Sequence, residues 1–210
     1  VLIDEGKVIK TSKVPTDQDH LLECLMSALD ELVREVSPEK IERVVLSTTL
    51  ITNLIAEGKT DPVALIMAPG PGMNPEGYNL GGEVQLVRGA IDYRGREIQA
   101  LDEDQVKNAA AKISERGYRK VAVASKFGQR NHSHEEKMRE IVLAVSPGIQ
   151  VEMGHRASGR LNFPRRMATT MLKIAAQDRY REFAREIAEA ISKRKIEAPI
   201  YILKADGGTL

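Results

Sequence analysis

Short apolar runs alternate along this chain with stretches in which apolar residues return every three or four positions. Residues 43–49 (RVVLSTT), 62–69 (PVALIMAP), 120–125 (KVAVAS), 149–153 (IQVEM) and 200–205 (IYILKA) read as strands. The helical spacing is carried by Leu22, Leu25, Leu29, Leu32 and Val33, by residues 51–59 closed by Gly58, and by Val106, Ala109, Ala110 and Ile113. It returns in Met138, Ile141, Val142 and Val145, and in Phe183, Ala184, Ile187, Ala188 and Ile191. Strands alternating with helices of this length indicate an α/β fold.

Local punctuation refines the pattern. Asp4-Glu5-Gly6-Lys7 and Tyr93-Arg94-Gly95 mark hairpin turns, the second joining residues 83–92 to 96–101. Thr16-Asp17-Gln18-Asp19 and Ser133-His134-Glu135-Glu136 read as capping boxes, and Asp102 as a helix cap. Pro164 starts a helix through about Ala176, followed by a separate amphipathic one that Ala198-Pro199 ends. The loop from Gly70 to Gly82 is rich in glycine and carries two prolines, and is the candidate internal boundary. The expected organisation is 1–61, a smaller strand-and-loop sub-domain at 62–100, and 101–210.

Composition narrows the function classes. Aromatic residues make up 4% and Trp is absent, so a platform for stacking bases or sugars is not expected. A formal net charge of +1, with the two signs interspersed, argues against nucleic acid as a partner. The single Cys24 precludes an internal disulfide and fits a reducing compartment. No apolar run reaches the roughly 18 residues of a membrane span, so no membrane partner is expected and a cytoplasmic location is. The chain opens on VLID, a strand already in progress, and stops just past another, so we read it as a piece of a longer polypeptide.

Four clusters carry candidate chemistry. Asp206-Gly207-Gly208-Thr209 follows an apolar strand; its glycines let backbone N–H groups approach a phosphate, or it is an ordinary Asp-Gly turn. An adjacent carboxylate such as Asp206 suits hydrated Mg²⁺. Ser47, Thr48, Thr49, Thr52 and Asn53 gather hydroxyls at a helix start, as an anion site or as a simple cap. Residues 156–170 bring Arg156, Arg160, Arg165 and Arg166 together with Asn162, Thr169 and Thr170, either to clamp a carboxylate or phosphate or as a solvated interface. His132 and His134 have an H-x-H spacing that reads as a solvated cap rather than zinc, and His155 stands as a lone histidine beside Arg156.

Taken in order, VLIDEGKVIKTSKVPT, LSTTLITNLIAEGKTDPVALI, AIDYRGREIQALDED, NHSHEEKMREI and IYILKADGGTL resemble the hydantoinase/oxoprolinase family, and more narrowly the N-terminal part of its A subunit. The most specific parts are Thr48, Thr49, Thr52 and Asn53 together with Asp206, Gly207 and Gly208; Asn131, His134 and Glu135 support them.

The resemblance implies a partial actin-like ATPase (ribonuclease H-like) fold, three-layer, with a smaller inserted α/β sub-domain. It implies ATP and Mg²⁺ as cofactors and ATP-driven opening of a cyclic amide, a hydantoin or 5-oxoproline, with the amide carbonyl activated by phosphorylation. Asp206 would be catalytic and hold Mg²⁺ through water. Gly207, Gly208 and Thr209, with Thr48 and Thr49, would bind phosphate, and Asn53, Arg166, Thr169 and Thr170 would face the substrate. Arg166, Thr169 and Thr170 can be matched to a family stretch whose acidic residues have no counterpart here. A hydantoinase B-type second subunit is the implied partner, and an oligomer is possible. A ketone carboxylase subunit and an actin-like ATPase that moves a partner protein are the alternatives. The family's first phosphate loop would precede Val1, so this piece alone is expected to lack ATPase activity.

Overall fold

The computed structural model of the protein describes residues 1–17, 20–73 and 82–203. The chain divides into two compact units, Val1–Ile51 with Arg179–Leu210, and Thr52–Asp178.

The first unit starts with the expected hairpin, β1 (Leu2–Asp4) against β2 (Lys7–Lys10), turning through Glu5 and Gly6, both at positive φ. Helix α1 (Leu21–Val33) follows; the proposed capping box at Thr16–Asp19 includes residues 18 and 19, which lie outside the described residues. Strand β3 (Val44–Leu46) leads to α2 (Leu50–Ala56) and pairs in parallel with a strand from the far end of the chain, Ile200–Ile202. The core is built as the periodicity predicts. Leu21, Leu22, Leu25 and Leu29 pack with Phe183, Ile187 and Ile191, which recur every fourth residue and so share one helix face.

The second unit is organised around a four-stranded sheet of β4 (Ala64–Ala68), β5 (Val84–Leu86), β8 (Lys120–Ser125) and β9 (Gln150–Met153), all parallel. A hairpin, β6 (Ala90–Ile91) with β7 (Glu97–Gln99), lies between β5 and β8 in sequence. Helices α3 (Glu103–Glu115) and α4 (Ser133–Val145), a short turn α5 (Gly154–Ala157) and the part of the long α6 (Phe163–Ser192) up to Asp178 complete it. The last strand of the chain, Ile200–Ile202, is β10.

Strands β4 and β8 are buried on both sides, and side-chain alternation sends neighbours to opposite faces. Ala64, Ile66, Ala68, Val121 and Val123 meet Val106, Ala110 and Ile113 of α3 and Met138 and Val142 of α4. Leu65, Met67, Ala122 and Ala124 meet Phe163, Met167, Met171 and Ile174 of α6. This unit therefore has three layers, helices on each face of a parallel sheet, and each fully buried Leu, Ile or Met contributes about 1.5–3 kcal/mol.

Three local expectations are corrected. The segment from Pro164 to Ser192 is one continuous helix, because nothing between Ala176 and Tyr180 breaks it. Residues 84–86 do not join the hairpin, since they pair in parallel with β4, which offers them a longer buried edge. Ser133 does not cap α4. The Asn131 side chain accepts the Ser133 N–H at 3.0 Å instead, and Asp102 caps α3 as expected, accepting from Gln105 N at 3.0 Å.

Candidate functional site

The sheet order β5-β4-β8-β9 means that the chain leaves β4 toward one edge and leaves β8 toward the other. In open parallel sheets ligands collect where connections diverge in this way, outside the carboxyl ends of the strands. Here the loop after β4 carries Gly70 and Gly72 at positive φ, and Lys126, the first residue after β8, ties the two loops by donating from Nζ to the Pro71 carbonyl at 3.0 Å.

The centre of this edge is Glu135, in the first turn of α4 and completely buried. It shares the inward stripe of Met138 and Val142, a position where the helix otherwise carries apolar residues. Its Oε1 accepts the Ser125 N–H at 2.9 Å, at the end of β8, and its Oε2 accepts the His155 N–H at 2.7 Å, at the start of α5. One carboxylate thus completes loops ten and twenty residues away in sequence. The fit is close: a Cβ on Gly128 would overlap Oε1, and one on Gly154 would lie 2.9 Å from it.

Two imidazoles join this centre. Oε2 of Glu135 lies 2.7 Å from Nδ1 of His155, and the His155 ring stacks on His132 with centroids 4.1 Å apart and planes 15° from parallel. His132 Nδ1 lies 2.7 Å from the Gly128 carbonyl. Opposite them is Arg166, fully buried in the first turn of α6. Its Nη2 donates to the Ser125 carbonyl at 2.6 Å, its Nη1 to the Arg160 carbonyl at 2.9 Å, and its plane lies over Phe163 at 5.2 Å. Burial lowers the pKa of this guanidinium, and the charge of Glu135 partly offsets that. Its Nε has no hydrogen-bonding partner among the described residues.

The surrounding loops are one-sided in charge. Residues 126 to 134 contain no Asp or Glu, nor do residues 153 to 177, while Lys126, Arg130, Arg156, Arg160 and Arg165 lie within them. Such an edge attracts anions. At the opposite end of β8, the buried Lys120 ammonium is held by Asp61 at 2.7 Å, Asp178 at 2.8 Å and the Ile174 carbonyl at 3.0 Å.

The residues singled out from sequence are dispersed. Thr48 accepts the Leu50 N–H through Oγ1 at 3.1 Å, and Thr49 and Asn53 are exposed on or beside α2. Arg166 and Thr170 are buried; Thr170 Oγ1 donates to the Arg166 carbonyl at 2.7 Å and Thr169 Oγ1 to the Arg165 carbonyl at 2.8 Å, so both hydroxyls serve α6. Asp206, Gly207, Gly208 and Thr209 lie outside the described residues. Among the described residues no group of three or more His, Cys, Asp or Glu side chains is gathered to hold a metal, so a fit for Mg²⁺ rests on Asp206.

The Asn131, His134 and Glu135 motif supplies three separate anchors. Asn131 donates to the Gly95 carbonyl at 2.9 Å, His134 Nε2 meets Glu97 at 3.0 Å, and Glu135 holds the centre. Sequence reading missed Ser125, Gly128 and the pairing of Glu135 with His155. The available signal was an acid on the apolar stripe of α4.

The profile described as "Hydantoinase/oxoprolinase N-terminal region" matches residues 1–146. An uncharacterized protein of Methanocaldococcus jannaschii is 22% identical over 118 residues, 56% of this chain and 17% of its own length. A nucleotide-free acetone carboxylase structure superposes with a TM-score of 0.80 at 17% identity, over 94% of this chain and 33% of that one. The ATP-dependent caprolactamase of Pseudomonas jessenii gives 0.76 at 20% identity, over 100% of this chain and 34% of that one. The chain thus spans about a third of these structures and less of the curated relative. At these identities the likeness shows the fold: a partial actin-like α/β fold with parallel sheets. Among the described residues no helix is long and apolar enough to cross a membrane.

Proposed function

The chain belongs to the hydantoinase/oxoprolinase family, and from that premise we propose that the longer protein is an ATP-dependent hydrolase of cyclic amides of the hydantoin or 5-oxoproline type. The observation that carries this reading is the family match across residues 1–146, which includes Thr48, Thr49, Thr52 and Asn53. An amide has a weakly electrophilic carbon, and transfer of the ATP γ-phosphoryl group to its carbonyl oxygen makes that carbon open to attack. What a protein adds to such a transfer is in-line positioning and charge neutralisation. In this reading Thr48, Thr49 and the turn Asp206 to Thr209 bind the nucleotide, with Mg²⁺ on Asp206 through water. Asn53 and the 156–170 segment serve the substrate, and a hydantoinase B-type subunit completes the enzyme.

The acid-free basic loops favour a substrate with a carboxylate, as 5-oxoproline has. Ketone carboxylation is the second reading, favoured by the structural likeness to acetone carboxylase. The test is phosphate release by the full-length protein and its second subunit with 5-oxoproline, hydantoin, caprolactam, or acetone with bicarbonate. Stimulation by a cyclic amide with matching ring-opened product is the expected result. Stimulation only by the ketone selects the carboxylase, and stimulation only by another protein overturns both. Asp206→Ala should abolish turnover while the protein stays folded.

A further inference from the structure

His132 and His155 have their ring protons pinned by acceptors that cannot donate. Both oxygens of Glu135 already accept backbone N–H groups, so the 2.7 Å bond to the His155 ring is donated by Nδ1. The Gly128 carbonyl only accepts, so His132 also carries its proton on Nδ1. Each neutral ring therefore has its lone pair on Nε2, and neither Nε2 has a hydrogen-bonding partner among the described residues.

A purely structural carboxylate at position 135 would complete the two loops with any side chain at position 155. The imidazole adds a basic nitrogen held in one orientation, at the carboxyl edge of the sheet and among acid-free basic loops. Glycine at 128 and 154 keeps clear the space in which the Glu135 carboxylate sits, since a Cβ at either position would press on Oε1. A buried carboxylate that orients a histidine through Nδ1 is the arrangement by which proteins prepare Nε2 for proton transfer.

We propose that Glu135 and His155 form an acid–base dyad in which His155 is the catalytic residue and Glu135 the positioning residue, serving an anionic cyclic amide; this rests on the amide-opening reading. Nε2 of His155 takes a proton from water as the water oxygen bonds to the acyl carbon. The tetrahedral carbon then holds the new hydroxyl, the phosphorylated oxygen and the ring nitrogen. The imidazolium gives its proton to the ring nitrogen as the C–N bond breaks, and the hydroxyl releases its proton to solvent as C=O re-forms. The resulting acyl phosphate is hydrolysed by a second water to carboxylate and inorganic phosphate, while Glu135 remains the acceptor of the Nδ1–H bond. The titratable and charged groups facing the imidazole are Glu135 from α4, His132 from the loop after β8 and, across Ser125, Arg166 from α6.

The test uses the full-length protein with its second subunit, and 5-oxoproline and hydantoin as probes. His155→Asn keeps a donor where Nδ1–H stood and removes Nε2. It should lower kcat about 10²–10⁴-fold, leave KM within about threefold, preserve the melting temperature and erase one limb of the pH profile of kcat. Retention of wild-type kcat and both limbs in His155→Asn, beside ring opening by the wild type, overturns the dyad and leaves the amide-opening function standing. If the wild type opens neither amide, that function fails instead. Nitrogen-15 spectra of histidine-labelled protein then decide the dyad without any substrate: a neutral His155 protonated on Nδ1 supports it, and one protonated on Nε2 overturns it.

Discussion

Glu135 and Arg166, both fully buried, are joined through a single residue: Ser125 donates its N–H to Glu135 at 2.9 Å and its carbonyl accepts from Arg166 Nη2 at 2.6 Å. The opposite charges sit on α4 and α6, and the end of β8 runs between them. The charge of Glu135 therefore partly offsets the burial of Arg166, and both side chains orient the end of β8.

Removing one partner should be costly. Arg166→Met strands the Ser125 and Arg160 carbonyls and leaves Glu135 without its counter-charge, so it should destabilise by about 3–5 kcal/mol. Arg166→Met combined with Glu135→Gln should cost less than the sum of the two. Urea unfolding of the four proteins measures both.

The two glycines Gly128 and Gly148 should answer alanine differently. At Gly128 an added Cβ overlaps Glu135, and Gly128→Ala should cost about 1–3 kcal/mol. Nothing lies within 4 Å of a Cβ at Gly148. Gly148→Ala should stay within about 0.5 kcal/mol of the parent in the same melts.

Lys120 should make the second unit sensitive to base. Burial alone would lower its pKa, but hydrogen bonds to Asp178 and Asp61 outweigh that and hold it above the ordinary 10.5. A raised folded pKa means that its contribution is complete below the unfolded pKa and is lost as pH rises through the folded one. Stability should therefore fall above pH 10.5, and Lys120→Met should remove that part of the decline. At neutral pH the same substitution should cost about 1–3 kcal/mol. Denaturant midpoints from pH 7 to 11.5 check this; an unchanged slope in Lys120→Met would refute it.

Thr48 and Thr49 should separate a structural role from a nucleotide role. Thr48→Ala removes the acceptor for the Leu50 N–H and should cost about 1 kcal/mol of stability. Thr49 is exposed, so Thr49→Ala should leave stability within about 0.5 kcal/mol. If Thr49 meets phosphate, the same change should raise the KM for ATP in the full-length protein.

The basic edge should discriminate by substrate charge. Arg156→Gln with Arg160→Gln should raise KM for 5-oxoproline about 3–10-fold, a factor set by solvent screening of exposed charges. It should leave KM for uncharged hydantoin unchanged. An equal effect on both would remove substrate recognition from these loops.

Wherever the controlling interactions are local, the fold was legible in the chain. The Asp102 cap, the turns at Gly6 and Gly95 and the alternation of strands with helices all depend on residues within a few positions of one another. The family signature was legible for the same reason, as short runs in order. The parallel placement of residues 84–86 was not, because strand partners are decided by pairing with distant segments. The single α6 was missed although no residue between Ala176 and Tyr180 breaks a helix.

The primary structure by itself determined an α/β chain with helices able to cover a sheet, and an acid on the inward stripe of α4. Only the tertiary structure decided what that acid does. Ser125, Gly128, His155 and Arg166 become its neighbours because parallel strands bring the carboxyl ends of β8 and β9 side by side. A hydrogen-bond partner is chosen by distance in space, and the spacing of residues along the chain carries no record of it.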